Sequence, residues 1–190
     1  SRVIGGKKAQ ENGAVAEGIV EAARHLARTK RLVDVRKVPT PMRYDGSKRA
    51  WVPSERSTVD GVGFVMATSN GNEPSKGTFV ADEVKSVDVT AGPSVLLSRV
   101  ETHQRDFLQS VHESGGVAVV TFVLLGVSRD MLSIWRWYDI CDESSISIER
   151  LRARAVSVNG YGGEVRACWL RYDLSAARLE RVGGWGDPAA

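Results

Sequence analysis

The residue types that could do chemistry together are the carboxylates of Asp60 and Glu83 and the ammonium of Lys85. They stand in Ser57-Thr58-Val59-Asp60 and in Asp82-Glu83-Val84-Lys85. Two carboxylates converging on one point suit a hard divalent cation. Magnesium takes one or two carboxylates, keeps several waters and accepts phosphate oxygens in its remaining positions. A cation so held lowers the pKa of a bound water, and a lysine beside it can orient that water and stabilise charge developing on a phosphate. The chemistry is hydrolysis at a phosphate. Taken alone, Glu-x-Lys on a strand reads first as a surface cross-strand ion pair, so the elements that position these groups carry the weight.

Alternate side chains on a strand share a face. A strand over Thr78 to Val87 therefore projects Glu83 and Lys85 together and sends Asp82 the other way. A carboxylate and an ammonium on an otherwise apolar strand are costly to bury unless paired or liganded. Asp60 falls on the preceding strand, Thr58 to Met66, and can meet Glu83 if the two strands are neighbours. Upstream, Asn12 is placed to cap a helix running to about Thr29, with Val15, Ile19, Ala22 and Leu26 facing the core and Ala16, Val20, Ala23 and Ala27 widening the stripe. Glu17, Glu21, Arg24 and Arg28 then lie on the polar face. Leu32 to Val38 alternates as a strand. Residues 39–56 leave the sheet as a basic hairpin turning at Asp45-Gly46, and residues 67–77 form a polar loop. A helix follows over Val95 to Glu113, then strands at Gly116 to Leu125 and Met131 to Tyr138, a short helix at Ile146 to Ala155 and a last strand at Val165 to Tyr172. Trp135 and Trp137 share a strand face and are expected to pack a core or a dimer interface. The order is that of an α/β chain with a mixed central sheet flanked by helices. No GxGxxG opens a helix after the first strand, which excludes a doubly wound dinucleotide fold.

Length and composition agree with one domain. The chain has 190 residues, 42% of them hydrophobic, enough for a sizeable core. Residues 1–11 read as a flexible basic arm, 12–182 as the domain and 183–190 as a flexible tail. No apolar run approaches the ~20 residues that span a bilayer, and no signal-peptide pattern is present, so a cytoplasmic setting is expected. Cys141 and Cys168 are the only cysteines and offer no zinc site. Net charge is +3, but residues 1–56 hold 13 of the 26 Lys and Arg and only 6 of the 23 Asp and Glu. A basic N-terminal third points to a polyanionic partner.

One order of motifs carries a family resemblance. Asn12-x4-Glu17 on the first helix is followed by Lys37-Val38-Pro39-Thr40-Pro41, by Ser57-Thr58-Val59-Asp60, by Asp82-Glu83-Val84-Lys85 and by His103-Gln104. Over roughly residues 12–126 this resembles the RecU-type Holliday-junction resolvases of the PD-(D/E)xK nuclease superfamily, to which the archaeal Hjc-type resolvases also belong. The resemblance implies a restriction-endonuclease-like sheet with a protruding basic stalk at 39–56. It implies Asp60, Glu83, Lys85, Glu17 and Gln104 as catalytic residues, with Asp60, Glu83, Val84 and Glu17 around Mg2+, for which Mn2+ can substitute. Lys37, Arg43, Lys48, Arg49 and Arg56 would contact phosphates, and Trp51 and Tyr44 could stack on bases at the crossover or pack the hairpin itself. A loop at 67–77 longer than the family's, and a shorter excursion, point to a divergent member, bacterial or phage-encoded.

A resolvase nicks two opposed strands of a near two-fold junction, so a homodimer is expected. The expected partner is branched DNA, with no membrane and no small-molecule cofactor, in a bacterial cell or phage-infected host. Two alternatives stay open at the level of sequence. One is another endonuclease of the same superfamily, of restriction or repair type, cutting duplex DNA. The other is a non-catalytic DNA-binding protein.

Overall fold

The computed structural model describes residues 2–40, 42–47, 49–53, 58–66, 74–168, 170–173 and 178–181. The chain opens with α1 (Arg2–Thr29), then β1 (Val33–Lys37), a hairpin of β2 (Met42–Asp45) and β3 (Ala50–Pro53), β4 (Gly61–Val65) and β5 (Phe79–Asp88). A short strand β6 (Ser94–Leu96) and a single 3-10 turn (Leu97–Arg99) lead into α2 (Thr102–Glu113). There follow β7 (Val117–Leu125), β8 (Met131–Arg136), α3 (Trp137–Ile140), β9 (Ser145–Ser147), α4 (Ile148–Ala153), β10 (Ala155–Ser157), α5 (Tyr161–Ala167), β11 (Leu170–Asp173) and β12 (Arg178–Arg181).

Six strands form one mixed sheet in the order β1-β4-β5-β7-β8-β10. Only β5 and β7 run parallel; the other neighbours are antiparallel. A parallel pair needs a crossover, and α2 lies within it. Hydrophobic cores fill both faces. Val119, Val123 and Leu132 join Ala16, Val20 and Tyr161 on the α1 and α5 side. Val120, Phe122 and Trp135 join Leu108, Ile140 and Leu151 on the side of α2, α3 and α4. That two-sided burial explains why Val117–Leu125 reads as one continuous apolar run. The fold is thus mixed α/β, a six-stranded mixed sheet flanked by helices.

Several elements differ from the sequence expectation, each for a local reason. Helix α1 starts at Arg2, so the residues expected as an arm are helical and Asn12 is not a cap. Once a helix is nucleated each further residue adds a hydrogen bond, and Gly5 and Gly6 weaken this extension without ending it. The buried stripe is Ala16, Val20, Ala23 and Ala27, while Val15 is 55% exposed. Small residues let α1 lie close to the sheet, which turns the larger Val15 outward. Residues 94–99 are strand and 3-10 turn because Ser94–Leu96 pairs with Ser145–Ser147. The helix begins where a capping box forms between Glu101 and Gln104. The segment from Ile146 likewise opens as β9 before Ser147 caps α4, its Oγ accepting from the Arg150 N–H at 3.2 Å. Tyr161 and Val165 recur at helical spacing and are fully buried, so the expected last strand opens as α5 and only Leu170–Asp173 is extended. Trp135 and Trp137 pack the core below α2, although Trp137 already belongs to α3. The tail 183–190 lies outside the described residues. Among the described residues no helix is long and apolar enough to cross a membrane.

Candidate active site

Strand β5 sorts its polar side chains as the alternation requires. Glu83 and Lys85 sit opposite Val120 and Phe122 of β7, on the α2 side, and form an ion pair with each other. The carboxamide of Gln104, in the first turn of α2, accepts from Lys85 Nζ at 3.2 Å. The same oxygen accepts from the Glu101 N–H at 2.9 Å, closing the capping box. One glutamine therefore starts α2 and aims the lysine.

Asp60 stands one residue before β4, at the point where the β4–β5 ladder runs out. The last register pair is Gly61 with Asp82. Beyond it the Val84 N–H has no strand partner on that side and donates instead to Asp60 Oδ2 at 2.9 Å. The Asp60 backbone is held from the other side, its carbonyl accepting from the Val38 N–H at 3.0 Å. A sheet that ends here converts a ladder position into a carboxylate beside Glu83.

Glu83 is fully buried, and its Oε2 has no hydrogen-bond partner among the described residues. Burial, and next the charge of Asp60, raise its pKa to about 8 against the opposing pull of Lys85. An uncompensated buried carboxylate oxygen facing a second carboxylate is an arrangement that a cation would complete. The donor set, two carboxylates with an ammonium alongside, fits magnesium bound with waters and phosphate oxygens. Among the described residues no three His, Cys, Asp or Glu side chains group closely enough to hold one ion. Glu17, expected to complete the metal site, does not group that closely with Asp60 and Glu83.

A cleft opens beside these groups, lined by Glu17, Arg24, Lys37, Asp60, Val84, Lys85 and Arg99 among others. Glu17 reaches it from α1 but is exposed, and its Oε2 accepts from Lys37 Nζ at 2.7 Å. Lys37, expected at DNA phosphates, is thus ion-paired on the surface here. The 39–56 excursion does form a hairpin, β2 with β3, outside the main sheet. Its turn is braced by Asp45 Oδ1, which accepts from the Ser47 N–H at 3.0 Å. Arg49 and Tyr44 are exposed on it, Tyr44 by 57%. Lys48 and Arg56, and the side chains of Arg43 and Trp51, lie outside the described residues.

Sequence reasoning missed two features. Arg24, assigned to the polar face of α1, is only 3% exposed, and its Nη2 donates to Asp82 Oδ2 at 3.0 Å. Asp82 also accepts from Tyr161 Oη at 2.5 Å and from Thr121 Oγ1 at 2.6 Å. Burial alone would lower the Arg24 pKa, but the charges of Asp82 and Tyr161 raise it overall. Gly61 makes room: a Cβ there would stand 2.3 Å from Arg24 Nη2. The signal was present, since Asp82 in an apolar strand required a buried cation on its own face. The second feature is Arg99, in the 3-10 turn, which no motif marks. The chain matches no protein-family model and no curated protein, so these side chains and their geometry carry its functional reading.

Proposed function

We propose that the chain is a magnesium-dependent DNA endonuclease acting through Asp60, Glu83 and Lys85. The observation that carries this reading is the buried, unpartnered Oε2 of Glu83, set beside Asp60 and ion-paired to Lys85 through its other oxygen. Asp60 and Glu83 would hold the cation, with Asp60 and Val84 lining the cleft. Bound there, magnesium supplies an acidified water and draws charge from the scissile phosphate. The Lys85 ammonium, steadied by Gln104, stabilises charge gathering on the phosphate oxygens. Burial of Glu83 on the sheet face keeps bulk water from screening these interactions. The mixed sheet flanked by helices, with β1-β4-β5 antiparallel and β7 parallel to β5, supports a restriction-endonuclease-like reading.

Within this reading the substrate is branched DNA, a four-way junction nicked in opposed strands by a homodimer. The basic hairpin that follows β1 in the chain supports that choice, because it lies outside the main sheet and offers Arg49 and Tyr44 to solvent. The test is cleavage of a synthetic four-way junction and of its linear arms in magnesium and in manganese. Paired nicks in the junction are expected, lost in Asp60→Asn and Glu83→Gln while junction binding in calcium persists. Preference for the linear arms would overturn the junction substrate and leave the nuclease. No cleavage of either DNA by the unaltered protein would overturn the nuclease and favour a non-catalytic DNA-binding protein.

A further inference from the structure

Four cations line the cleft: Arg24, Lys37, Lys85 and Arg99. Three already have carboxylate partners. Arg24 is bound to Asp82 and Glu21, Lys37 to Glu17, and Lys85 to Glu83. Arg99 is exposed and makes no hydrogen bond or ion pair with any described residue. A phosphate approaching the cleft finds in Arg99 a cation whose charge is not yet spent.

The turn that carries Arg99 is anchored on both sides. Leu97 and Val100 are 2% and 1% exposed. Arg105, from α2, clamps the turn by donating to the Leu97 carbonyl at 2.6 Å and to the Val100 carbonyl at 2.8 Å. The Leu97 N–H donates to the Ser144 carbonyl at 2.9 Å. The mount fixes the point at which the Arg99 side chain leaves the backbone. Arg99 also lines a second depression beside the first, and Ser86 is shared between the two. The pair therefore marks where the cleft holding Asp60 and Lys85 passes into its neighbour.

We infer that Arg99 is a DNA-binding residue that holds the phosphate adjacent to the scissile one, as the strand passes from the cleft across Ser86 into the second depression. The guanidinium presents a planar fork that matches two phosphate oxygens, which an ammonium does not. This rests on the nuclease reading, and it adds a contact on the nuclease body rather than on the 39–56 hairpin.

The test compares the unaltered protein with Arg99→Ala and Arg99→Lys. Binding of a labelled four-way junction is measured in calcium over a salt series, and cleavage in magnesium under single-turnover conditions. Arg99→Ala is expected to weaken binding about tenfold and to reduce the slope of log Kd against log salt by about one. Arg99→Lys should restore the slope but only part of the affinity. The thermal midpoint should stay that of the unaltered protein, since the side chain is exposed. Unchanged affinity and slope in Arg99→Ala, in a protein that binds and cuts, would overturn this contact alone. Failure of the unaltered protein to cut any DNA overturns the nuclease reading and the contact with it.

Discussion

Asp82 and Glu83 are neighbours on one strand, both fully buried, and the two faces of the sheet treat them in opposite ways. On the α1 side Asp82 accepts from Arg24, Tyr161 and Thr121, so both of its oxygens are used. On the α2 side Glu83 has Lys85 on one oxygen and no described residue on the other, and its pKa is raised to about 8. A buried charge with both oxygens engaged fastens helix to sheet. A buried carboxylate left half engaged destabilises the protein, and such groups gather at functional sites. Charge and burial alone do not separate the two; completeness of partnering does.

The largest expected effect tests the complete side. Asp82→Asn leaves the buried Arg24 guanidinium with only the half-exposed Glu21 as counter-charge and should cost about 3–5 kcal/mol in urea unfolding. A loss under about 1 kcal/mol would show that Asp82 is no anchor and erase the contrast. Glu83→Gln should act with the opposite sign. The folded pKa of Glu83 is raised above its ordinary 4.5. Its proton therefore contributes stability that is full below about pH 4.5 and is lost as pH rises through about 8. Thermal midpoints of the metal-free protein should fall across that window, and Glu83→Gln should flatten the curve and be the more stable form at pH 9. A variant whose curve keeps the same slope would mean that the titrating group is another.

Two smaller effects sharpen the comparison. Gly61→Ala pushes a methyl group against Arg24 and should destabilise by about 1–3 kcal/mol. Its effect should be less than additive with Asp82→Asn, because both act on one guanidinium. Full additivity in that double-mutant cycle would separate Gly61 from the network. Gln104→Ala frees Lys85 on the other face. It should slow cleavage about tenfold, below the ~10²-fold that an ångström of misplacement can cost, with junction affinity in calcium unchanged. A fall in affinity matching the fall in rate would make Gln104 a binding residue instead.

The amino-acid sequence by itself determined the α/β class, the strand β5 and the division of its side chains, because a period of two leaves no choice about which residues share a face. It determined that Asp60, Glu83 and Lys85 were the groups to watch, and His103-Gln104 marked the helix that supports them. Only the tertiary structure decided the rest. The phase of α1 was ambiguous, since two apolar stripes lay side by side and close packing against the sheet selected the smaller residues, carrying Arg24 inward. Asp60 meets Val84 because a ladder ends one residue short, a fact of register that no local pattern encodes. Glu17 reaches the cleft yet pairs with Lys37, since a long exposed carboxylate takes the nearest cation. The open oxygen of Glu83 belongs to this second class. Its type and spacing are written in the chain, but its desolvation and its missing partner exist only once β5 is buried between two layers of helices.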